Sequence, residues 1–372
     1  MIKLVHTADW QLGKPFGRFP PETAAALSEA RLDVIDRIAE IAAERGARHV
    51  LVAGDVFDNV EPGDRIFGQA MARMGRASAT WWLLPGNHDH ARSGGLWDRL
   101  RARASANVRI VDVAEAVELE EGAWLLPAPL EHRKTTVDPT AAMVDMGTPP
   151  GALRIGLAHG SITEFGATGE SANLIPPDRA RTARLDYLAL GDWHGFMKVG
   201  DRTAYSGTPE VDRFGRDEPG AVAVVEVNAG EVPVIERIET GRHRWLKATW
   251  EIAEPADLTR RIDALRADTR LEHVLLDVTL AGVASLSDRV AMLDALEQLR
   301  HELRHLDVDD SQLLARPTAE DIARIDVQGT LATVAETLRA QSEASANGSD
   351  LAAAALERLY VEVMRQEAET PA

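Results

Sequence analysis

Short apolar runs alternate with amphipathic stretches through the first 240 residues of this chain, the pattern of a layered α/β domain. Residues 3–7, 49–53 and 80–84 read as buried strands, and 108–111, 123–126, 154–158 and 187–190 continue the series. Between the first two strands, Leu27, Val34, Ile35, Ile38 and Ile41 fall at helical spacing. They predict a helix over 23–44, with Gly46 as its C-terminal stop. Ala221–Val227 and 232–238, joined through Asn228, Ala229, Gly230 and Glu231, read as a hairpin.

The texture changes after about Gly241. A strand at 245–252, a helix at 255–267, a strand at 274–280 and a helix at 286–306 predict a small α+β appendage. The stripe of Val290, Leu293, Leu296, Leu299 and Leu303 is the core-facing side of that last helix. Two more helical stretches follow, at 319–342 and 351–366, separated by a Ser/Asn/Gly-rich segment over 345–350. The expected division is therefore 1–240, 241–312 and 313–372.

Composition narrows the class. The 372 residues contain no cysteine, which excludes disulfides and thiolate metal sites and fits a reducing compartment, the cytoplasm. The N-terminal apolar run reaches Asp9 too soon for a signal peptide, and no apolar stretch approaches the roughly 20 residues a membrane helix needs. A net charge of −18 argues against a protein that coats nucleic acid. The charge is uneven, however: Arg92, Arg99, Arg101, Arg103 and Arg109 crowd one stretch, whereas the chain beyond Asp307 is acidic. Charge counting alone leaves that basic stretch equally open to a polyanion or a solvated helix face.

Candidate chemistry lies where the strands end. Five of them run into Asp9–Trp10–Gln11, Gly54–Asp55–Val56–Phe57–Asp58, Gly86–Asn87–His88–Asp89, His159–Gly160 and Gly191–Asp192–Trp193–His194. The C-terminal ends of strands in an α/β sheet open into one crevice, so segments far apart in sequence can converge there. An Asp after a strand is often only a turn former, and His49, His132, His243, His273, His301 and His305 have no motif around them. Five such strand ends in series exceed what capping explains. Asp, Asn and His together suit Mn²⁺, Fe or Zn²⁺.

This series resembles that of the calcineurin-like metallophosphoesterases, whose motifs run D-x-H, G-D, G-N-H-D, H and G-H-x-H. Residues 6–10, 54–58 and 186–191, with the small-residue turn at Tyr205, Ser206, Gly207, Thr208 and Pro209, are similar to SbcD-type DNA-repair nucleases. The resemblance implies a β-sandwich flanked by helices over 1–240, a capping domain over 241–312 and partner-docking helices over 313–372. It assigns Asp9 and His194 to one metal, Asp55 to a bridge, Asn87 and His159 to a second metal, and His88 to the leaving group. Two divalent ions, Mn²⁺ with Mg²⁺ or Fe as alternatives, would bind phosphate oxygens and activate a water.

Two positions depart from the family pattern. Gln11 stands where the family has the His of D-x-H, and Asp192 where it has the first His of G-H-x-H. Asp192 is expected to bind a cation, and Gln11 to offer a weak amide oxygen. Both changes favour a harder ion such as Mn²⁺ over Zn²⁺ and weaken the site next to Gln11. Arg92 and Arg99 follow the G-N-H-D motif closely enough to reach a substrate. The resulting expectation is a DNA exo- or endonuclease working with an SbcC-like coiled-coil ATPase, with a homodimer also compatible. The competing readings are a phosphodiesterase on another substrate and a non-catalytic subunit that binds DNA or a partner.

Overall fold

The apolar runs of the N-terminal half become strands covered on both faces, and successive residues point to opposite layers. The computed structural model describes residues 1–162, 172–215, 218–268, 270–316, 318, 320, 321, 325, 329, 331–344 and 348–369. They fall into two units, Met1–Arg244 and Trp245–Ala372.

The first unit opens with β1 (Ile2–Thr7), α1 (Pro21–Arg45), β2 (His49–Val52), α2 (Asp64–Arg76), β3 (Thr80–Leu83), α3 (Leu96–Arg103) and β4 (Val108–Ile110). It continues through β5 (Val117–Glu120), β6 (Ala123–Ala128), β7 (Leu153–His159), β8 (Ser161–Ile162) and β9 (Leu174–Ile175). The rest is α4 (Arg179–Thr182), β10 (Tyr187–Gly191), β11 (Met197–Lys198), β12 (Thr203–Tyr205), β13 (Ala221–Val227) and β14 (Val234–Glu239). Helix α1 ends where Gly46 turns left-handed at φ 66° and its N–H reaches back to Ala42 O and Ala43 O.

Two six-stranded sheets result, ordered β14-β13-β1-β2-β3-β4 and β11-β12-β10-β7-β6-β5. They pack face to face. Leu4, Leu51 and Val225 of one sheet share a core with Leu125, Ile155, Leu157 and Tyr187 of the other. The alternate residues Val5, Val50, Val52 and Trp81 face outward and are covered by Ile35, Ile38, Phe67 and Trp97 of the helical layer. On the opposite outer face, Leu188, Leu190 and Tyr205 pack with Met143, Ile175 and Leu185. This is the flanked β-sandwich that the family resemblance implies and a form of the layered α/β domain that the residue pattern predicts. Strands β1 to β4 run parallel, as do β6, β7, β10 and β12, so each sheet gathers its strand-end loops at one edge.

The second unit begins with β15 (Arg244–Ile252), α5 (Pro255–Asp268), β16 (Val274–Ala284), α6 (Leu286–Glu302) and β17 (His305–Ala315). It ends with α7 (Ala332–Glu343) and α8 (Ser349–Glu369). Its three-stranded sheet, β15-β16-β17, buries Trp250, Leu276 and Val278 against Leu258 and Ile262 of α5 and Leu296 and Leu299 of α6. Leu286, Ala335, Leu356 and Tyr360 form a second small core. Helix α6 stops at Glu302 and not at 306, because the chain turns there into β17. That strand is not predicted: Asp307, Asp309 and Asp310 make it read as polar loop, yet it pairs along β16 and buries Leu306 and Leu313. Part of the expected helix 319–342, and residues 345–347 of the expected separator, lie outside the described residues. Among the described residues, no helix is long and apolar enough to cross a membrane.

Candidate metal centre

Backbone strain marks the site first. Among the described residues, the non-glycine positions with positive φ are Asp9 (55°), Gln11 (43°), Asp55 (54°) and Asp192 (100°), together with Asn173 and Arg184. The first four are expected ligands. Left-handed backbone is costly for residues with a Cβ and persists where the surroundings enforce it. Here the enforcement is a ladder between two strand-end loops: Asp9 N donates to Gly54 O (3.1 Å), Gln11 N to Asp55 O (2.8 Å) and Leu12 N to Val56 O (3.0 Å). Two glycines let the loops close. A Cβ on Gly54 (φ 84°) would lie 2.4 Å from His159 Nδ1, and one on Gly191 would lie 1.9 Å from Ala53 O.

The side chains then converge. His159, at the end of β7, donates from Nδ1 to Ala53 O (2.8 Å), so that in the neutral ring Nε2 carries the lone pair. That Nε2 lies 3.6 Å from Asp55 Oδ1 and 3.8 Å from Asp192 Oδ1. Asp55 Oδ1 also accepts from His88 N (2.9 Å), and the Asp9 carboxylate accepts from Asp192 N (3.1 and 3.2 Å). Asn87 Nδ2 reaches Asp192 Oδ1 (3.5 Å), and Ser161 Oγ donates to Asp192 Oδ2. His194 Nε2 stands 4.0 Å from Asp9 Oδ1.

These residues fit a divalent cation. Asn87 Oδ1 and His159 Nε2 are buried acceptors with no hydrogen-bond partner, which would be costly unless another group satisfied them. Single ligand atoms of Asp9, Asp55 and His159 lie within 4.8 Å of one another. The electrostatics show the same strain. Burial pushes the Asp9 carboxyl up to about 6, although His194 and His159 pull it down. Burial disfavours a charged His159, but Asp55, Asp9 and Asp192 outweigh it and hold the imidazole at about 9. A cation would replace the proton there.

The half of the centre around Gln11 differs from the expectation of an oxygen ligand. Gln11 Nε2 donates to Asp55 Oδ2 (3.4 Å), while its Oε1 accepts from Lys14 Nζ (3.1 Å). Lys14 is in turn paired with Asp212, a buried carboxylate that also lies 3.3 Å from Arg31 Nη2 and 3.7 Å from His194 Nδ1. Asp212 is buried, but His194, Arg31 and Lys14 hold its carboxyl well below the usual range. Sequence reasoning passed over Asp212, Lys14, Arg31 and Ser161. Asp212 stands three residues beyond the turn at Pro209, Lys14 three beyond Gln11 and Ser161 two beyond His159, whereas Arg31 lies in mid-helix away from any motif.

The remaining candidates sort by contact. His88 Nδ1 donates to Asp58 O (2.9 Å), and the ring is half-buried. Asp89 touches no histidine; its carboxylate accepts from Phe57 N (3.0 Å) and Gly86 N (2.7 Å), so it ties two strand-end loops together. Burial pushes it up to about 7. Trp10 is a packing residue, edge-on to Trp81 with ring centroids 5.7 Å apart. Trp193 is 46% exposed. Arg92 and Arg99 line a cleft of about 560 Å³ with His90. Arg99 is held there, donating to Pro62 O (3.1 Å) and lying 4.3 Å over the Phe67 ring.

A profile of the family described as calcineurin-like phosphoesterase matches residues 2–225. The chain belongs to that family. This phosphoesterase is therefore a hydrolase of phosphate esters, and its family binds divalent metals. It is 31% identical over 93 residues to the SbcD component of the nuclease SbcCD from Bacillus subtilis (strain 168), a match spanning 24% of the phosphoesterase and 22% of the relative. One solved structure aligns with 64% of the phosphoesterase and 98% of its own chain, at 11% identity and a TM-score of 0.42, too low to carry any inference.

Proposed function

We propose that this phosphoesterase is a metal-dependent nuclease that cleaves DNA phosphodiesters. The observation that carries the metal chemistry is the pair of unpartnered buried acceptors, Asn87 Oδ1 and His159 Nε2, beside Asp55 and Asp192. Support for a polyanionic substrate comes from the cleft next to the G-N-H-D loop, where exposed Arg92 stands with His90 and Arg99. The partial likeness to a nuclease component points the same way.

Each residue then has a task. Asp55, Asn87, His159 and Asp192 would hold the cation, with Asp9 and His194 completing the rim. A divalent ion, when bound, would supply neutralisation of the phosphate charge and a water acidic enough to attack at neutral pH. His88, held at Nδ1 by Asp58 O, would act as the imidazolium, passing its Nε2 proton to the leaving oxygen and becoming the neutral ring. Asp89 keeps the loops of Phe57 and Gly86 in register, and Arg92 takes a neighbouring phosphate. Mn²⁺ suits the oxygen-rich donor set. In this reading the chain works in DNA repair in the cytoplasm with an SbcC-like ATPase docked on its C-terminal helices.

The test is direct. Chelator-stripped protein should cleave neither single- nor double-stranded DNA, and Mn²⁺ should restore cleavage. Activation on a small aryl phosphodiester with intact DNA at every metal concentration would overturn the DNA assignment.

A further inference from the structure

The two halves of the centre are not equivalent, and the difference begins with one amide. An ammonium can only donate hydrogen bonds and an ionised carboxylate can only accept them. Gln11 lies between the two, with Lys14 Nζ 3.1 Å from Oε1 and Asp55 Oδ2 3.4 Å from Nε2. Reversing the amide would set donor against donor and acceptor against acceptor. Gln11 therefore presents N–H to the Asp55 oxygen on its side, where a metal ion would require a lone pair.

Lys14 is not there by chance of rotamer. Asp212, buried, pairs with its ammonium and is itself held by Arg31, a buried guanidinium that also donates to Trp10 O. Asp212 faces His194 as well, at 3.7 Å from Nδ1. So one carboxylate gathers two fixed cations and an imidazole behind Gln11. A divalent ion placed beside Gln11 would meet an N–H, with Lys14 directly behind it. In the other half no fixed cation intervenes: the buried Asn87 Oδ1 and His159 Nε2 make no hydrogen bond, and the ring nitrogen lies 3.6 Å from Asp55 Oδ1 and 3.8 Å from Asp192 Oδ1.

We propose that Lys14, positioned by Asp212 and relayed by Gln11, is a built-in cation that replaces one of the two divalent ions. The chain then takes up a single ion tightly, in the half formed by Asp55, Asn87, His159 and Asp192. This rests on the reading of the cluster as a metal centre. Lys14 and Asp212 are positioning residues in this account, because they act on the centre through Gln11 and His194.

The experiment counts ions. Titrate the stripped wild-type chain with Mn²⁺ by calorimetry and measure retained manganese by atomic emission; then repeat with the double variant Gln11→His, Lys14→Ala. The expected result is one tight site per chain in the wild type and two in the variant. Two tight sites in the wild type would overturn the proposal while leaving the metal centre standing, and so would a variant that still holds one. No retained ion in the wild type would instead remove the metal-centre reading itself. The wild-type count decides the matter even if the double variant does not fold.

Discussion

At the scale of single residues, the proposed function separates groups that would hold a cation from groups that would act beside it. His88 has no carboxylate partner in the cluster other than Asp58, and its Nδ1 is spent on a carbonyl. His88→Ala should lose about 10²–10⁴-fold in rate, the usual worth of a general acid, with manganese content unchanged. A parallel loss of metal would make it a ligand. His6 behaves differently. It is buried between the Tyr187 hydroxyl (2.8 Å) and Leu190 O (3.1 Å), and burial pushes it from 6.5 down to about 3. Between those values the unfolded chain takes up a proton that the folded one refuses, so stability falls as pH drops below 6.5. Denaturant melts should show the wild type losing roughly 2–3 kcal/mol more than His6→Gln between pH 7 and pH 4.5. Matching curves for the two proteins would contradict this, because Asp9 and Asp89 titrate in both.

At the scale of elements, legibility tracked how strongly local pattern and tertiary pairing agreed. The strands β1, β2, β3, β7 and β10 were readable because burial on both faces writes a continuous apolar run. Strand β17 was not, since its pairing with β16 overrides an acidic, loop-like sequence. The same holds within the site. Asp55, Asn87, His159, Asp192 and His194 sit beside glycine in their motifs and Asp9 in the segment that ends β1, whereas Arg31 and Ser161, and Lys14 through Asp212, matter through partners distant in sequence. The amide direction of Gln11 was beyond reach for that reason. Glycine at the end of β10 is the sharpest element-level constraint, because a methyl group added there would have Ala53 O, His159 Nδ1 and Ala8 Cβ all within 3 Å. Gly191→Ala should cost about 1–3 kcal/mol and weaken manganese binding. Gly68→Ala, on the exposed side of α2 with open space around it, should leave binding intact and raise stability by about 0.5–1 kcal/mol.

At the scale of the whole molecule, an acidic protein must hold a polyanion through a local field. Most arginines of the basic stretch are already engaged: Arg101 pairs with Asp98 and Asp112, and Arg103 lies over Phe67. Arg92 is the exposed one at the cleft. Arg92→Gln should flatten the salt dependence of DNA binding by about one unit of slope, and Arg101→Gln should leave it alone. Fluorescence anisotropy across a salt series distinguishes them, and equal slopes for wild type and Arg92→Gln would return this arginine to the solvated surface. The centre also has a mechanical meaning. Asp9, Asp55 and Asn87 hang from one sheet of the sandwich and His159, Asp192 and His194 from the other, with His159 reaching across to Ala53 O. An ion held among them would be a rivet through the open edge of two layers. Loading it and closing that edge would become one equilibrium, and a chelator would then act on this protein as a wedge at the rim while the far end of the sandwich stayed shut.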